Sequence, residues 1–585
     1  MSYFTQNMKA LEKRFANAAR VVGDASRRAA PRAAPQIETA RSGEPTLRAA
    51  SEVYDAPSEG TATAGVYLHS RVDPRREGSR LAQAVPDGAG YLVVWGPGLF
   101  YEVEALLARE TLPRLLVVEP EPDYLVAAFH ARDLRGILGD PRCRFLVGSG
   151  ATPREAAHEV TGSYLPVLHG GFRFELPRAR ASGASECARA VNGAAQRQID
   201  DLSVQRRFGL RWFSNAVRNL TGLAGGSVEL PGLGRVAIAA AGPSLERDLE
   251  ALGTDVPVIS TDTALPYLVS RGLTPAAVVS LDCQQVTYHH FLAARRSGAR
   301  DRGGPNLAEI PLLADLSSSP TVLRQSRRAA LFATGHPLAA LLRRRFPDVT
   351  LAPQAGGNVT QAALSIAVVL GAHTVYILGA DLAYPGGKPY ACGTYLYPYF
   401  RNREDRLEPT SGRLLEMALS DPGVRAEESE EGRRYVTPKL ATYRKELEAS
   451  ADSLDVEVHF GVQNRAERND GTDHSTGDTP NPARRRGREA RAGRRTLVVP
   501  PRAERRAFLR DYRAVLEELD PASAASADSA SREDTVRDHL YTLLPTAAAF
   551  LGPDLDVRKT AEVLAKAREW AIGRLDRYAA KPTPP

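Results

Sequence analysis

The chain is predicted to be an α/β protein, on two observations. Short, nearly continuous apolar runs alternate with helical patterns, which implies a mostly parallel sheet covered on both faces. Several of those runs end in glycine-rich turns or in an aspartate, the residue types found where ligands sit at the carboxyl ends of parallel strands.

Residues 1–20 read as an amphipathic helix, and residues 25–63, rich in Ala, Pro, Ser, Arg and Glu without a period, read as a linker. A short strand at 66–69 follows, then a turn at Asp73-Pro74 and a helix carrying Glu77. A stronger unit comes next: a buried strand at 90–95, the turn Gly96-Pro97-Gly98, a helix at 99–109 and a strand at 114–118 ending at Glu119-Pro120. A glycine turn followed about 20 positions later by an acidic residue is the order of a Rossmann-like dinucleotide- or adenosyl-binding βαβ unit. Tyr101 stands where a third glycine would let the helix approach, so the pattern fits a plain βαβ unit as well as a cofactor site.

A helical stretch at 184–220 leads to a second series of strands, expected at 235–240, 256–261, 276–281, 310–314, 329–334 and 374–378, with a helix at 360–370. The chain thus divides into an N-terminal helix with a disordered linker (1–64), an N-terminal Rossmann-like domain (65–200), a central α/β domain (201–460), a disordered Arg-rich insertion (461–496) and a C-terminal helical region (497–585) broken at PASAASADSASRED.

Of the 585 residues 43% are hydrophobic and 25% charged, as in a globular protein. The net charge of +7 is mild, and much of it lies in the tract 484–495, where no aromatic residues interleave with the arginines for base stacking. Nucleic acid is therefore not an expected partner. Cys143, Cys187, Cys283 and Cys392 are too dispersed for a zinc site or a disulfide framework, and a reducing cytoplasm is the simplest setting. No window offers the roughly 18 apolar residues of a membrane span.

Four strand ends carry candidate chemistry. Gly242-Pro243-Ser244 precedes a helix whose first N–H groups favour an anion, with the Ser244 hydroxyl as a further donor. The same turn also suits a helix cap. Asp262 and Asp282 each follow an apolar strand and can accept from sugar hydroxyls, hold a divalent cation, or cap a helix. The fourth end is the longest: Gly356-Gly357-Asn358-Val359-Thr360 opens a small-residue helix, and a strand then leads to Asp381 and on to Tyr390.

AAAGPSL, VISTDTALPYLVSRGLTPAAVVSLD, FATGHP and GGNVTQAALSIAVVLGAHTVYILGADLAYPGGKPYACGTY together resemble the motility accessory factor family of bacterial flagellin glycosyltransferases. Its central domain is also found in hydroxymethylpterin pyrophosphokinase-like proteins. VYLHSRVDPRREGSRL and YLVVWGPGLFYEVEALL resemble the N-terminal domain of the same motility family, so the likeness runs from about Val66 to Ser450. The resemblance implies transfer of a nonulosonic acid, a sialic-acid-like sugar, from a CMP-activated donor to Ser or Thr of flagellin, with no tightly bound cofactor. Metal use and oligomeric state are left undetermined.

The central domain is also similar to bacterial sialyltransferases whose donor loop reads Gly-x-Gly-Pro-Ser-Leu; here Ala240 replaces the first glycine. By that likeness Gly242, Pro243 and Ser244 belong to the donor loop, Asp262 and Asp282 lie near ribose-contacting positions, Gly357, Asn358 and Thr360 face the nucleotide, and Tyr390 lies near a phosphate. The general-base histidine of those enzymes has no counterpart in Tyr435-Val436-Thr437-Pro438-Lys439. Asp381 is therefore the first candidate for an acidic catalytic role. His336 is the second, as a group that titrates near neutrality or as a helix cap. The competing functions are diphosphate transfer from ATP to a hydroxymethylpterin, with Asp262 and Asp282 on Mg²⁺, and a non-catalytic flagellin chaperone.

Overall fold

The computed structural model describes residues 2–28, 35–49, 66–112, 114–175, 184–297, 305–352, 358–429, 432–462, 495–521 and 534–579. Residues 522–533 of the expected break at 521–534, and the arginine tract up to Arg494, lie outside the described residues. The chain forms two compact units, Met1–Leu210 with Ala514–Ile572 and Arg211–Arg513 with Gly573–Pro585. The expected C-terminal region is thus divided between the two units rather than standing alone. The boundary after Leu210 falls inside the long helix Ala184–Gly222.

The first unit opens with two helices, not one, Tyr3–Arg14 and Ala16–Ser26, broken at Phe15 where φ is −138°. Asn7 is buried and ties the first helix down: its amide donates to the carbonyls of Phe129 and Arg132 and its oxygen accepts from Leu134 N–H. The segment expected as a linker holds two strands, β1 (Gln36–Thr39) and β2 (Pro45–Ala49), which pair antiparallel, and β2 then pairs with β3 (Val66–Tyr67). The linker reading fails because contacts that composition does not show hold these strands: Leu47 is fully buried and Tyr67 Oη bonds Glu38 at 2.8 Å.

The main sheet of this unit comprises β4 (Ala89–Trp95), β5 (Arg114–Glu119), β6 (Cys143–Val147) and β7 (Gly171–Glu175), all parallel, in the order β6-β5-β4-β7. Every residue of β4 is buried, which is why its sequence runs apolar without alternation. The glycine turn after β4 spends its donors internally. Gly96 N–H bonds Val118 O, and Leu99 N–H bonds His69 Nε2 at 2.7 Å. A Cβ on Gly98 would lie 2.5 Å from that same nitrogen. Burial holds the His69 imidazole neutral, its pKa lowered to about 3, and Arg132 lies 3.9 Å over the Tyr101 ring. A histidine thus occupies the glycine turn that would face the ligand in a dinucleotide- or adenosyl-binding unit.

Burial pushes the Glu119 carboxyl up to about 8. The folded chain therefore retains a proton that the unfolded chain releases near pH 4.5. Stability is full below that value and declines as the pH rises through about 8. Glu119→Gln is expected to remove this slope, gaining roughly 2–3 kcal/mol over wild type between pH 6 and pH 9 in denaturant titrations.

The second unit contains β8 (Gly226–Leu230), β9 (Arg235–Ala239), β10 (Val258–Thr261), β11 (Ala277–Ser280), β12 (Leu312–Asp315), β13 (Ala329–Ala333), β14 (Thr350–Leu351) and β15 (Thr374–Leu378). These are followed by β16 (Tyr384–Pro385), β17 (Arg425–Ser429), β18 (Gly432–Val436), β19 (Glu457–Phe460) and β20 (Arg495–Val499). Eight of them make an all-parallel sheet ordered β14-β13-β12-β11-β10-β9-β15-β19. β16, β18 and β17 form a small sheet after β15, and β20 pairs antiparallel with β8. Arg495 and Thr496, expected within the disordered insertion, thus belong to a strand. The helix Val359–Val369 packs Ala362, Ala363, Ile366 and Ala367 into the core, and its small side chains allow a close approach to the sheet. No helix among the described residues is long and apolar enough to cross a membrane.

Candidate active site

The sheet of the second unit reverses its winding between β9 and β15. From β9 the chain builds outward through β10 to β14, whereas β15 and β19 lie on the other side. In an open parallel sheet the crevice at such a reversal is where ligands bind. The two strand ends that flank it are the Gly242-Pro243-Ser244 turn and Asp381.

These two ends are bonded to each other. Ser244 donates its N–H and its hydroxyl to Asp381 Oδ2 at 3.1 and 2.9 Å, and Gly242 N–H donates to Gly379 O at 2.8 Å. A Cβ on Gly242 would overlap the same carboxylate oxygen, so only glycine permits this contact. The turn expected to hold a phosphate thus holds an internal carboxylate with its serine donors. Burial raises the Asp381 pKa, against the opposing pull of the two Ser244 bonds. Arg444 fixes the backbone carbonyl of Asp381 at 2.5 Å, and the buried Asp248 accepts from Gly379 N–H at 3.1 Å. Ala240 bonds Leu378 O through its N–H and has no left-handed φ, so the backbone there does not require glycine.

The next strand ends differ sharply in how far their carboxylates are enclosed. Asp262, only 4% exposed, accepts from Ser280 Oγ at 2.7 Å and from Thr263 Oγ1 at 3.2 Å. It faces the protein rather than a ribose or a cation, because Ser280 at the end of β11 is aimed at it. Asp315 is likewise enclosed by Ser317 and Thr334. Desolvation raises the pKa of both. Asp282 is half-buried, with Oδ1 accepting Gln284 N–H at 2.8 Å and Oδ2 meeting, among the described residues, only the Gln284 amide at 3.4 Å. Asp282 is the one of these three strand-end carboxylates with an oxygen to offer.

Tyr390 joins this group. Ala391 N–H bonds Ala241 O at 2.8 Å, which lays the segment against the Gly242 turn. Burial, with smaller contributions from Tyr384, Tyr395 and Asp262, pushes the Tyr390 hydroxyl up to about 12. At the start of the helix Val359–Val369, Asn358 Oδ1 accepts Thr360 N–H at 2.9 Å and so acts as its cap, while Thr360 itself is buried. Gly357 lies outside the described residues.

His336 is not brought to the others. It follows β13, three strands from β10, and its Nδ1 caps its own helix by accepting Leu338 N–H at 3.2 Å. Burial lowers its pKa to about 4, and its ring meets the edge of Trp212 at 5.9 Å. His-Pro at a helix start supplies a cap followed by a residue with preset φ, and this role outweighs the catalytic one.

Sequence reasoning missed His289, His290 and Tyr395. His290 is 8% exposed, with Nε2 3.4 Å from Thr263 Oγ1 and the Tyr395 ring edge-on at 4.7 Å; His289 stacks on the same tyrosine at 6.0 Å. The available signal was a histidine pair at a helix start, seven and eight residues beyond the strand-end Asp282. Asn215 and Asn219 were missed too. One helical turn apart, they donate to the carbonyls of Cys283 and Ser317 and of Leu316 and Ser318, and so hold the loops after β11 and β12.

A family model for the Maf glycosyltransferase N-terminal domain matches residues 54–142, and one for MptE-like 6-hydroxymethylpterin diphosphokinases matches residues 216–387. An uncharacterized protein of Treponema pallidum is 32% identical over 166 residues, 27% of this chain and 78% of that protein. A second from the same organism is 26% identical over 226 residues, 37% of this chain and 71% of that protein. The structure of a Maf glycosyltransferase from Magnetospirillum magneticum AMB-1 superposes with a TM-score of 0.58 at 14% identity, covering 98% of this chain and 90% of that one. That likeness carries the fold, and the domain match at the N-terminal end carries the family: the chain belongs to the Maf family of glycosyltransferases.

Proposed function

We propose that this glycosyltransferase moves a nonulosonic acid from a CMP-activated donor to Ser or Thr hydroxyls of flagellin in the cytoplasm. The observation that carries the reading is the bonded pair of strand ends at the sheet reversal, Gly242-Pro243-Ser244 with Asp381, beside Asp282 and Tyr390. A CMP-linked donor brings its own leaving group, so the protein has to position two reactants, stabilise a departing phosphate and accept a proton. In this reading the Gly242 turn, braced by Asp381, frames the nucleotide. Asp282 takes a ribose hydroxyl through Oδ2, Tyr390 donates to the phosphate, and the helix start at Asn358 and Thr360 closes the far side.

A second reading, diphosphate transfer from ATP to a hydroxymethylpterin, is favoured by the MptE-like match over 216–387. It requires Asp262 and Asp282 to share a cation, and the enclosure of Asp262 by Ser280 and Thr263 speaks against it. Calorimetric titration with CMP and ATP, paired with intact-mass analysis of co-expressed flagellin, tests both. CMP is expected to bind at least about tenfold tighter than ATP, a margin of roughly 1.4 kcal/mol, and flagellin is expected to gain the mass of a nonulosonic acid. Preference for ATP together with unaltered flagellin would overturn the proposal.

A further inference from the structure

Resting on the glycosyl-transfer reading, we propose that His290 is the residue that takes the proton from the acceptor hydroxyl, oriented by Asp262 through Thr263. Transfer to a hydroxyl needs a proton acceptor within reach of the reacting oxygen. The enclosed aspartates are poor candidates, since Asp262, Asp315 and Asp381 already receive protein donors. Among the described histidines of the second unit, His289 is exposed and stacks on Tyr395, His336 spends Nδ1 on its cap, His373 precedes β15 at the amino end of the sheet, and His459 lies within the edge strand β19. His290 stands at the carboxyl end, beside Asp262 and Asp282.

The bonding pattern fixes which nitrogen is the base. The Thr263 hydroxyl gives its one proton to Asp262 Oδ1, so toward His290 it can only accept. Nε2 is then the protonated nitrogen, and Nδ1 carries the lone pair. Nδ1 is buried and has no hydrogen-bond partner among the described residues. An unpaired buried acceptor of this kind is costly, and it is retained here beside the most open strand-end carboxylate of the site. Burial lowers the imidazole pKa, and the charges of Asp262 and Asp282 oppose that shift. Tyr395 covers the ring edge-on at 4.7 Å, so an incoming acceptor has to displace its side chain.

In the step itself, the acceptor oxygen bonds the anomeric carbon as its proton passes to Nδ1. The bond from that carbon to the phosphate oxygen breaks, its electron pair leaves on CMP, and the imidazolium later gives its proton to water. The test uses the full chain, CMP-sialic acid and flagellin, with CMP release as the readout. His290→Gln is expected to lower kcat roughly 10²–10⁴-fold with the donor KM within twofold, and Thr263→Val to lower kcat by a smaller factor by freeing the ring. Unchanged kcat in His290→Gln overturns the inference. Wild-type protein that neither binds CMP nor releases it counts against the glycosyl-transfer reading instead. Independently of any donor, the ¹⁵N signals of labelled imidazole that vanish in His290→Gln are expected to report a neutral ring protonated on Nε2. Protonation on Nδ1 overturns the assignment.

Discussion

Arg505→Met is expected to destabilise the second unit by about 3 kcal/mol or more and to weaken CMP binding as a consequence. Arg505 is fully buried and donates to the carbonyls of Pro500, Asn219, Leu220 and Leu223. Two of those carbonyls, of Asn219 and Leu220, lie in the last turn of the long helix Ala184–Gly222 and a third, of Leu223, just beyond it, where carbonyls run short of backbone donors and the helix dipole favours a cation. Each carbonyl left unbonded in the interior costs about 1–3 kcal/mol. The loss is partly offset because a buried guanidinium is itself unfavourable, as its pKa, lowered by burial to about 10, indicates. The functional effect follows from Asn215 and Asn219, which sit on the same last turns and hold the loops that carry Asp282 and Ser318. Denaturant unfolding checks the first part and calorimetry with CMP the second. Arg505→Lys is expected to recover less than half of the stability, since one ammonium cannot reach four divergent carbonyls.

Six of the eight strands in the large sheet were legible because interior parallel strands are buried on both faces and read as unbroken apolar runs. The two missed strands are edges. β14 is two residues long, and β19 reads Glu-Val-His-Phe, with Glu457 and Phe460 exposed, so neither offers a run to detect. At the site, turn chemistry pointed to the Gly242-Pro243-Ser244 turn and to Asp381, but not to the contact of Ser244 with Asp381 across 137 residues. The partner decides the role: the same Asp-after-strand pattern is closed at Asp262 by Ser280 and left partly open at Asp282. The histidines show the same limit. His336 stood out because His-Pro is conspicuous, whereas the pair His289-His290 lay inside an ordinary helix start, and only the fold sets it against two aspartates and Tyr395.

Gly242→Ala is expected to cut transfer at least about 100-fold, although the substitution adds one methyl group. The new Cβ would overlap Asp381 Oδ2 and lie 2.6 Å from Gly379 O. Relief can come in two ways. Asp381 can rotate off the turn, abandoning the Ser244 N–H and hydroxyl, or the turn can draw away from β15, breaking the 2.8 Å bond between Gly242 N–H and Gly379 O. Gly379 cannot yield instead, because it is held at φ +66° with its N–H on the buried Asp248. Overpacking of this kind costs about 1–3 kcal/mol, and a displacement of about 1 Å at a reacting centre is enough for a 10²-fold loss. Melting curves and kcat measured on Gly242→Ala, Asp381→Ala and the double variant separate the two routes. If Asp381 rotates, the double variant is more stable than the sum of the single effects predicts, because removing the carboxylate removes the clash. Additive losses mean that the turn itself has moved from β15. Wild-type transfer by Gly242→Ala would show that this turn does not frame the donor.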